Sequence, residues 1–289
     1  MSYLRHLASC NRFDPDAFLP FHLADGARIG FVRHDHVAAL DRFPQVFEIG
    51  AGAVGLKPGL GDEEAISAAF ADIGRSLAES GLAPALRHED FDASLAWGGP
   101  VQFRLDRAIV PFFGIRGYGC HLNGFLQRDG ALQLWVGRRA ADKKIAPNKL
   151  DNIVAGGVSA GYGAGETLVK EAEEEAAMPA DLAGRARPVG AILYRFQVPE
   201  GMRDDVLFLY DLEVPASFQP QNTDGEFAEF MVLPAAECLR RVAETDEFKF
   251  NVNLVLIDFA LRHGLIGPEH PDYLDLVAGL RGGLIQGLR

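Results

Sequence analysis

The stretch "VAGGVSAGYGAGETLVKEAEEEAAM", residues 154–178, constrains this chain more than any other. A short apolar start, a glycine-rich run and then apolar residues at helical spacing predict a strand, a tight loop and an amphipathic helix in direct succession. The helix carries Glu171, Glu173, Glu174 and Glu175. Glu171 and Glu175 lie one turn apart, a like-charge pairing that costs about 0.2–0.5 kcal/mol. On a helical wheel Glu171, Glu174 and Glu175 share one face about 100° wide, beside an apolar stripe of Val169, Ala172 and Ala176. Glu166, Lys170 and Glu173 read as a separate, solvated ion-pair face, which leaves the other three carboxylates without a cation in the helix. Two readings follow. The first is an exposed acidic face. The second is a hard-oxygen site, carboxylates plus loop carbonyls, for Mg²⁺ or Mn²⁺, and such an ion would remove the repulsion.

The surroundings of this segment are rich in strand patterns. Runs at 118–127 and 131–138 flank Arg128-Asp129-Gly130 and predict a hairpin. "RPVGAILYRFQVP", "DVLFLYDLEV" and "GEFAEFMVLP" predict three further strands, and "AAECLRRVAETDEF" and "NVNLVLIDFALRHGLI" predict helices, the second a core helix. Before residue 112, "ARIGFV" predicts a strand and "DEEAISAAFADIGRSLAESG" an amphipathic helix stopped at Gly81. With 289 residues the chain has room for two domains, which we divide as 1–112 and 113–289. A net charge of −12 argues against nucleic acid and acidic membrane as partners, since both demand basic patches. No run of about 18 apolar residues is present to span a membrane, and the first residues lack a signal-peptide pattern. Cys10, Cys120 and Cys238 are too few and too scattered for a disulfide framework or a zinc site, and are expected as buried thiols in the cytoplasm. Against the acidic background, "RRAADKK" gathers Arg138, Arg139, Lys143 and Lys144, which suits an anionic phosphate substrate or a solubilising loop.

The glutamate segment resembles the signature of Nudix hydrolases, G-x5-E-x7-R-E-U-x-E-E-x-G-U, where U is aliphatic. Gly156 opens the match, Lys170-Glu171 stand for Arg-Glu, Ala172 for U, Glu174-Glu175 for the glutamate pair, and Met178 closes it. Tyr162, Lys170 and Ala177 depart from the pattern, at the first glutamate, the arginine and the late glycine. The resemblance implies an α+β fold, a Nudix α/β/α sandwich with a mixed sheet, preceded here by a smaller α/β N-terminal domain. It implies that Glu174 and Glu175 hold Mg²⁺ (or Mn²⁺), with Glu171 as a further ligand or as the base orienting water, and a carbonyl of Gly156 or Gly157 as another ligand. Glu226 or Glu229, following the box, is the candidate extra ligand or general base, with strand-surface carboxylates as the plain alternative. Arg138, Arg139 and Lys143 are the expected phosphate contacts.

Longer stretches, among them "FGIRGYGCHLNGF", "LWVGRRAADKKIAPNKLDNIVAGG" and "FKFNVNLVLIDFALRHG", resemble Nudix proteins related to the region attached to thiamin pyrophosphokinase in some fungi. That likeness implies hydrolysis of thiamin diphosphate, or of its oxo and oxy analogues, to the monophosphate. The chain lacks the G-x4-G-K-[ST] loop of a kinase. Tyr118 or Trp135 could face a cationic thiazolium. His121 reads more readily as a structural strand residue than as a substrate contact, and Asp151 and Asn152 as loop-shaping residues. Three alternatives stand beside this reading: a pyrophosphatase of ADP-ribose or nucleotide sugars, a non-catalytic sensor of a phosphate ligand, and an isomerase of isopentenyl diphosphate, for which Cys120 lacks the surrounding motif. The partner is a small-molecule diphosphate; the N-terminal domain either caps the pocket and sets specificity or mediates a homodimer.

Overall fold

The computed structural model describes residues 2–128 and 130–282. The first helix, α1 (Leu4–Cys10), packs Leu7 and Cys10 into the core of the C-terminal half rather than beside its sequence neighbours. A four-stranded sheet follows. Its strands β1 (Phe18–His22) and β2 (Arg28–Arg33) pair antiparallel, the short helix α2 (Val37–Leu40) intervenes, and β3 (Phe47–Ile49) and β4 (Val54–Leu56) complete the order β2-β1-β4-β3. Helix α3 (Glu63–Glu79) runs where the sequence places it. Asp62 caps it by accepting from the Ala65 N–H at 3.1 Å, and Phe70, Ile73, Gly74 and Leu77 fall on one buried stripe. Strands β5 (Asp90–Ser94) and β6 (Val101–Asp106) form a separate antiparallel pair. The core of this half is aromatic: Phe70 stacks on Phe103 at 4.2 Å and meets Phe113 edge-on at 5.0 Å. That core continues through Phe112 and Phe113 to Ile115.

A seven-stranded sheet begins at Arg116. It comprises β7 (Arg116–Arg128), β8 (Ala131–Arg139), β9 (Leu150–Asn152), β10 (Val154–Gly157), β11 (Arg187–Val198), β12 (Gly201–Glu213) and β13 (Phe227–Pro234). The predicted hairpin is β7–β8; Asp129 of its turn lies outside the described residues. The order is β11-β12-β7-β8-β13, with β12 and β7 parallel and the other pairings antiparallel. Beyond Phe125 and Leu134, β7 and β8 splay apart and residues 150–157 fill the wedge, β9 pairing with β8 and β10 with β7. This wedge carries the backbone of the glycine-rich segment to the open end of the sheet.

Helix α4 (Ala164–Ala176) leaves that end and lies back across one face of the sheet, burying Leu168, Ala172 and Ala176. Ala172 and Ala176 of the predicted stripe are buried, and Leu168 takes the place of Val169, which is only half-buried. Ala177 takes a left-handed φ of 49° after it, the conformation for which a glycine is usually chosen, and its N–H still closes the helix on Glu173 O at 3.1 Å. The short helix α5 (Ala180–Ala183) leads to β11. On the opposite face pack α6 (Ala235–Glu244), α7 (Val252–Arg262) and α8 (Tyr273–Gly279). Val252 to Ala260 of α7 are all buried, so this helix is apolar around most of its girth and forms the centre of that layer. The result is an α+β chain with an α/β/α C-terminal half and a smaller N-terminal half.

Candidate active site at the open end of the sheet

A cavity of about 230 Å³ lies between the open end of the large sheet and the N-terminal half. Its floor includes Gly119 and His121 of β7, Leu207 of β12, and Ala155, Gly156 and Gly157 of β10. Glu171 and Glu175 of α4 form one end, and Phe91, Arg107, Val110 and Pro111 form a wall from the N-terminal half. Consecutive strand residues face opposite ways, so Gly156 and Gly157 admit different neighbours. A Cβ on Gly156 would lie 2.3 Å from Glu171 Cγ; one on Gly157 would lie 2.8 Å from Phe91 Cζ and 3.3 Å from Arg107 Cζ. Both glycines are required for close approach, Gly156 so that the helix carboxylate can cross the strand and Gly157 so that the N-terminal wall can reach it.

The helix glutamates do not all converge. Glu175 is 4% exposed and accepts the Ala155 N–H at 2.8 Å. Burial pushes its carboxyl well above the usual range, the Ala155 N–H opposing, and Glu171, Asp151 and Glu226 push it further. Glu171 is also raised, first by burial, against the pull of Lys170, with Glu174 and Glu89 adding to the rise. Glu174 is exposed and turned away from the cavity. The expected Glu166–Lys170–Glu173 face does not form: Glu166 accepts the Gly163 N–H at 2.8 Å, while Lys170 Nζ sits 3.1 Å from Glu171 and 2.8 Å from Glu174. The helix thus contains its own cation after all, placed between two of the three carboxylates. Among the described residues no three His, Cys, Asp or Glu side chains are gathered closely enough, as they stand, to enclose an ion.

The donor set nonetheless fits a hard divalent cation. Glu175 is buried without a cationic partner among the described residues, and Glu171 lies beside it in the cavity. The Lys170 ammonium stands where Glu171 and Glu174 share a positive charge.

The strand carboxylates are different. Asp151 is fully buried and takes Arg139 at 3.0 Å and Lys249 at 2.9 Å. Burial alone would raise it, but Lys249, His121 and Arg139 prevail and hold it below the ordinary range. Glu226 pairs with Arg139 and, at 2.6 Å, with Lys143; these cations likewise overcome burial and lower it. Arg139 and Glu226 line the cavity, and Lys143 sits behind Glu226. Arg138 and Glu229 pair with each other at 2.7 Å outside it, so neither is brought to the site. Tyr118 lines the cavity, with Trp97 packed on it at 4.6 Å, whereas Trp135 is buried in the core under α4. His121 is buried, held at Nδ1 by Asn152 Oδ1 at 2.9 Å, and burial lowers its pKa to about 4, which leaves it neutral. Cys10, Cys120 and Cys238 are free and buried, and burial pushes each thiol up to about 12. Sequence reading did not find Phe91, Arg107, Tyr194, Arg203, Asp205, Lys249 or Asn251, which reach the cavity from elements remote from the glutamate helix.

Comparison with known proteins agrees with this architecture. Residues 124–252 match the model of the NUDIX domain, and residues 2–117 match a domain described as of unknown function, DUF4743. Nudix hydrolase 20, chloroplastic, of Arabidopsis thaliana is 38% identical over 290 residues, covering 96% of this chain and 77% of the relative. Nudix hydrolase 24, chloroplastic, of the same plant is 39% identical over 285 residues, covering 97% and 78%. Among solved structures, that of DR0079 from Deinococcus radiodurans covers 58% of this chain and 97% of its own at 23% identity and a TM-score of 0.45. The NUDIX domain match, together with these hydrolase relatives, supports a hydrolase acting on diphosphate bonds. This chain belongs to the Nudix hydrolase family.

Proposed function

We propose that the protein hydrolyses the diphosphate linkage of a small molecule, with thiamin diphosphate or its oxidised analogues as substrate, at the cavity between Glu171, Glu175 and the N-terminal wall. The observation that carries this reading is the uncompensated, buried Glu175 beside Glu171 at the mouth of a cavity lined by Arg107, Arg139, Arg203 and Lys249. Glu171, Glu174 and Glu175, with the carbonyl of Gly156, would hold Mg²⁺ or Mn²⁺, Lys170 giving up its place between Glu171 and Glu174. The bound ion supplies charge neutralisation on the phosphoryl oxygens and a more acidic water. The chain's own residues do the rest. Glu171, at the cavity end beside Glu175, orients water and accepts its proton at a carboxylate oxygen. Arg139 and Lys249, fixed by Asp151, present positive charge to the phosphates. Glu226 is a poor proton acceptor while Arg139 and Lys143 hold it, so its contribution is to position Arg139.

A thiamin-type substrate is supported by the resemblance of "FGIRGYGCHLNGF", "LWVGRRAADKKIAPNKLDNIVAGG" and "FKFNVNLVLIDFALRHG" to the thiamin-related Nudix proteins. The test is product formation from thiamin diphosphate, its oxo and oxy analogues and ADP-ribose, with Mg²⁺ or Mn²⁺ and with EDTA, the ADP-ribose assay being coupled to a phosphatase. Metal-dependent turnover that favours the thiamin compounds is the expected result. Turnover of ADP-ribose alone would retain the site and discard the substrate, and absence of turnover with every compound would overturn the enzymatic reading.

A further inference from the structure

The four guanidinium and ammonium groups that line the cavity differ in origin. Arg139, Arg203 and Lys249 belong to the C-terminal half; Arg107 alone comes from the N-terminal half. It sits in a single 3-10 turn, Arg107–Ile109, capped by Asp106, whose carboxylate accepts the N–H groups of Ala108 at 2.8 Å and His88 at 2.7 Å. Glu89 holds it twice: the Glu89 carbonyl accepts the Arg107 N–H at 2.8 Å, and the Glu89 carboxylate accepts from Nη1 at 3.0 Å. The guanidinium also lies over the Phe91 ring at 5.5 Å. Nη2 has no carboxylate partner among the described residues, and the side chain is 46% exposed, so a donor edge stays open.

The same stretch of the N-terminal half grips the loop that leads into the glutamate helix. Ser159 Oγ donates to Glu89 at 2.8 Å, the Ala160 N–H to the Asp90 carbonyl at 2.7 Å, and the Gly161 N–H to Asp92 at 2.8 Å. Glu89 therefore anchors both Arg107 and the start of the α4 loop, which fixes the arginine relative to the carboxylates. A pre-placed guanidinium with a free edge, next to the bare Gly157 and opposite the helix glutamates, is built to take an oxyanion.

We propose that Arg107 is a substrate-binding residue of the diphosphate site: the N-terminal half supplies it across the seam to contact a phosphate of the substrate, so that the N-terminal half is part of the site. This rests on the diphosphate-hydrolase reading. The test compares wild type, Arg107→Ala, Arg107→Lys and Glu175→Gln in two assays, the steady-state kinetics of thiamin diphosphate hydrolysis and calorimetric binding of inorganic pyrophosphate. Loss of one charge-assisted contact is expected to raise KM and weaken pyrophosphate about 10- to 100-fold in both Arg107 variants. Lysine retains the charge but not the fork, so it should recover only part of the loss. Added guanidinium ion should partly restore the alanine variant and do nothing for Glu175→Gln, a rescue that a merely structural role would not show. Unchanged KM and pyrophosphate binding in a folded Arg107→Ala protein would overturn the proposal while leaving the hydrolase reading intact. Wild type that binds pyrophosphate through Arg107 but turns over no diphosphate would retain the contact and sink the hydrolase reading; wild type that binds no pyrophosphate would sink the contact as well. Should the alanine variant fail to fold, Arg107→Lys decides on the same two readouts.

Discussion

Two pairs of carboxylates are treated in opposite ways around one cavity, which Glu171, Glu175 and Glu226 line and behind which Asp151 holds Arg139 and Lys249. Asp151 and Glu226, from the strand side, are each held by two cations and titrate below their ordinary range. Glu171 and Glu175, from the helix, have between them the single ammonium of Lys170, and both titrate above it. Burial acts on all four in the same direction, so the difference lies in which cations the fold supplies. The strand pair is complete within the chain and serves to fix Arg139, Lys143 and Lys249. The helix pair is incomplete, and an external cation is the simplest group to complete it.

The contrast is broken most severely at Asp151. Replacing it with asparagine leaves Arg139 and Lys249 facing a neutral amide in a buried setting, and should cost about 3–5 kcal/mol of stability, read as a lower urea midpoint. Glu175→Gln should do the reverse to stability but abolish function: hydrolysis falls ~100-fold or more, several kcal/mol of lost transition-state stabilisation, in metal-saturated steady-state assays. The stabilising side of that substitution has a defined pH dependence. Because the folded carboxyl of Glu175 is raised, the folded state is favoured in acid and loses that advantage as pH climbs from the unfolded carboxylate value through the folded one. Metal-free Glu175→Gln should therefore match wild type near pH 4 and exceed it by about 1–3 kcal/mol at neutral pH, measured by chemical denaturation at both. Glu174→Gln should have the smallest effect, under about 1 kcal/mol on stability, since its pair with Lys170 is exposed. Its activity loss should be clearly less than that of Glu175→Gln. A loss as large as that of Glu175→Gln would mean that Glu174 turns inward when the ion binds and makes a contact as strong.

Much of this was legible in the chain. The hairpin, the three later strands, α3 and the strand–loop–helix segment are local patterns, and periodicity reports local patterns well. The helical wheel grouped Glu171, Glu174 and Glu175; Glu171 and Glu175, one turn apart, do reach the cavity together, while Glu174 stays exposed outside it. It could not decide where the flexible Lys170 side chain turns, since Glu166, Glu171, Glu173 and Glu174 all lie within its reach. The competition was settled elsewhere: Glu166 is used by the Gly163 N–H, which frees Lys170 for Glu171 and Glu174. Arg138 and Arg139 illustrate a second limit. Neighbours on a strand face opposite ways, so only one of them can reach a given cavity, and the basic cluster alone does not say which. Arg107 left no local signal at all; its role depends on the N-terminal half meeting β10, a contact between distant parts of the chain.

The central claim, that Glu175, buried with no cationic partner among the described residues, and Glu171, which shares Lys170 with Glu174, hold a divalent cation, is tested most directly by calorimetric titration of the metal-free protein with Mn²⁺. Wild type should bind the ion with proton release, because the raised carboxyls must ionise to ligate it, and a Glu171→Gln, Glu175→Gln double variant should show no such binding. Equal binding by the two proteins, or no binding by wild type, would contradict the account.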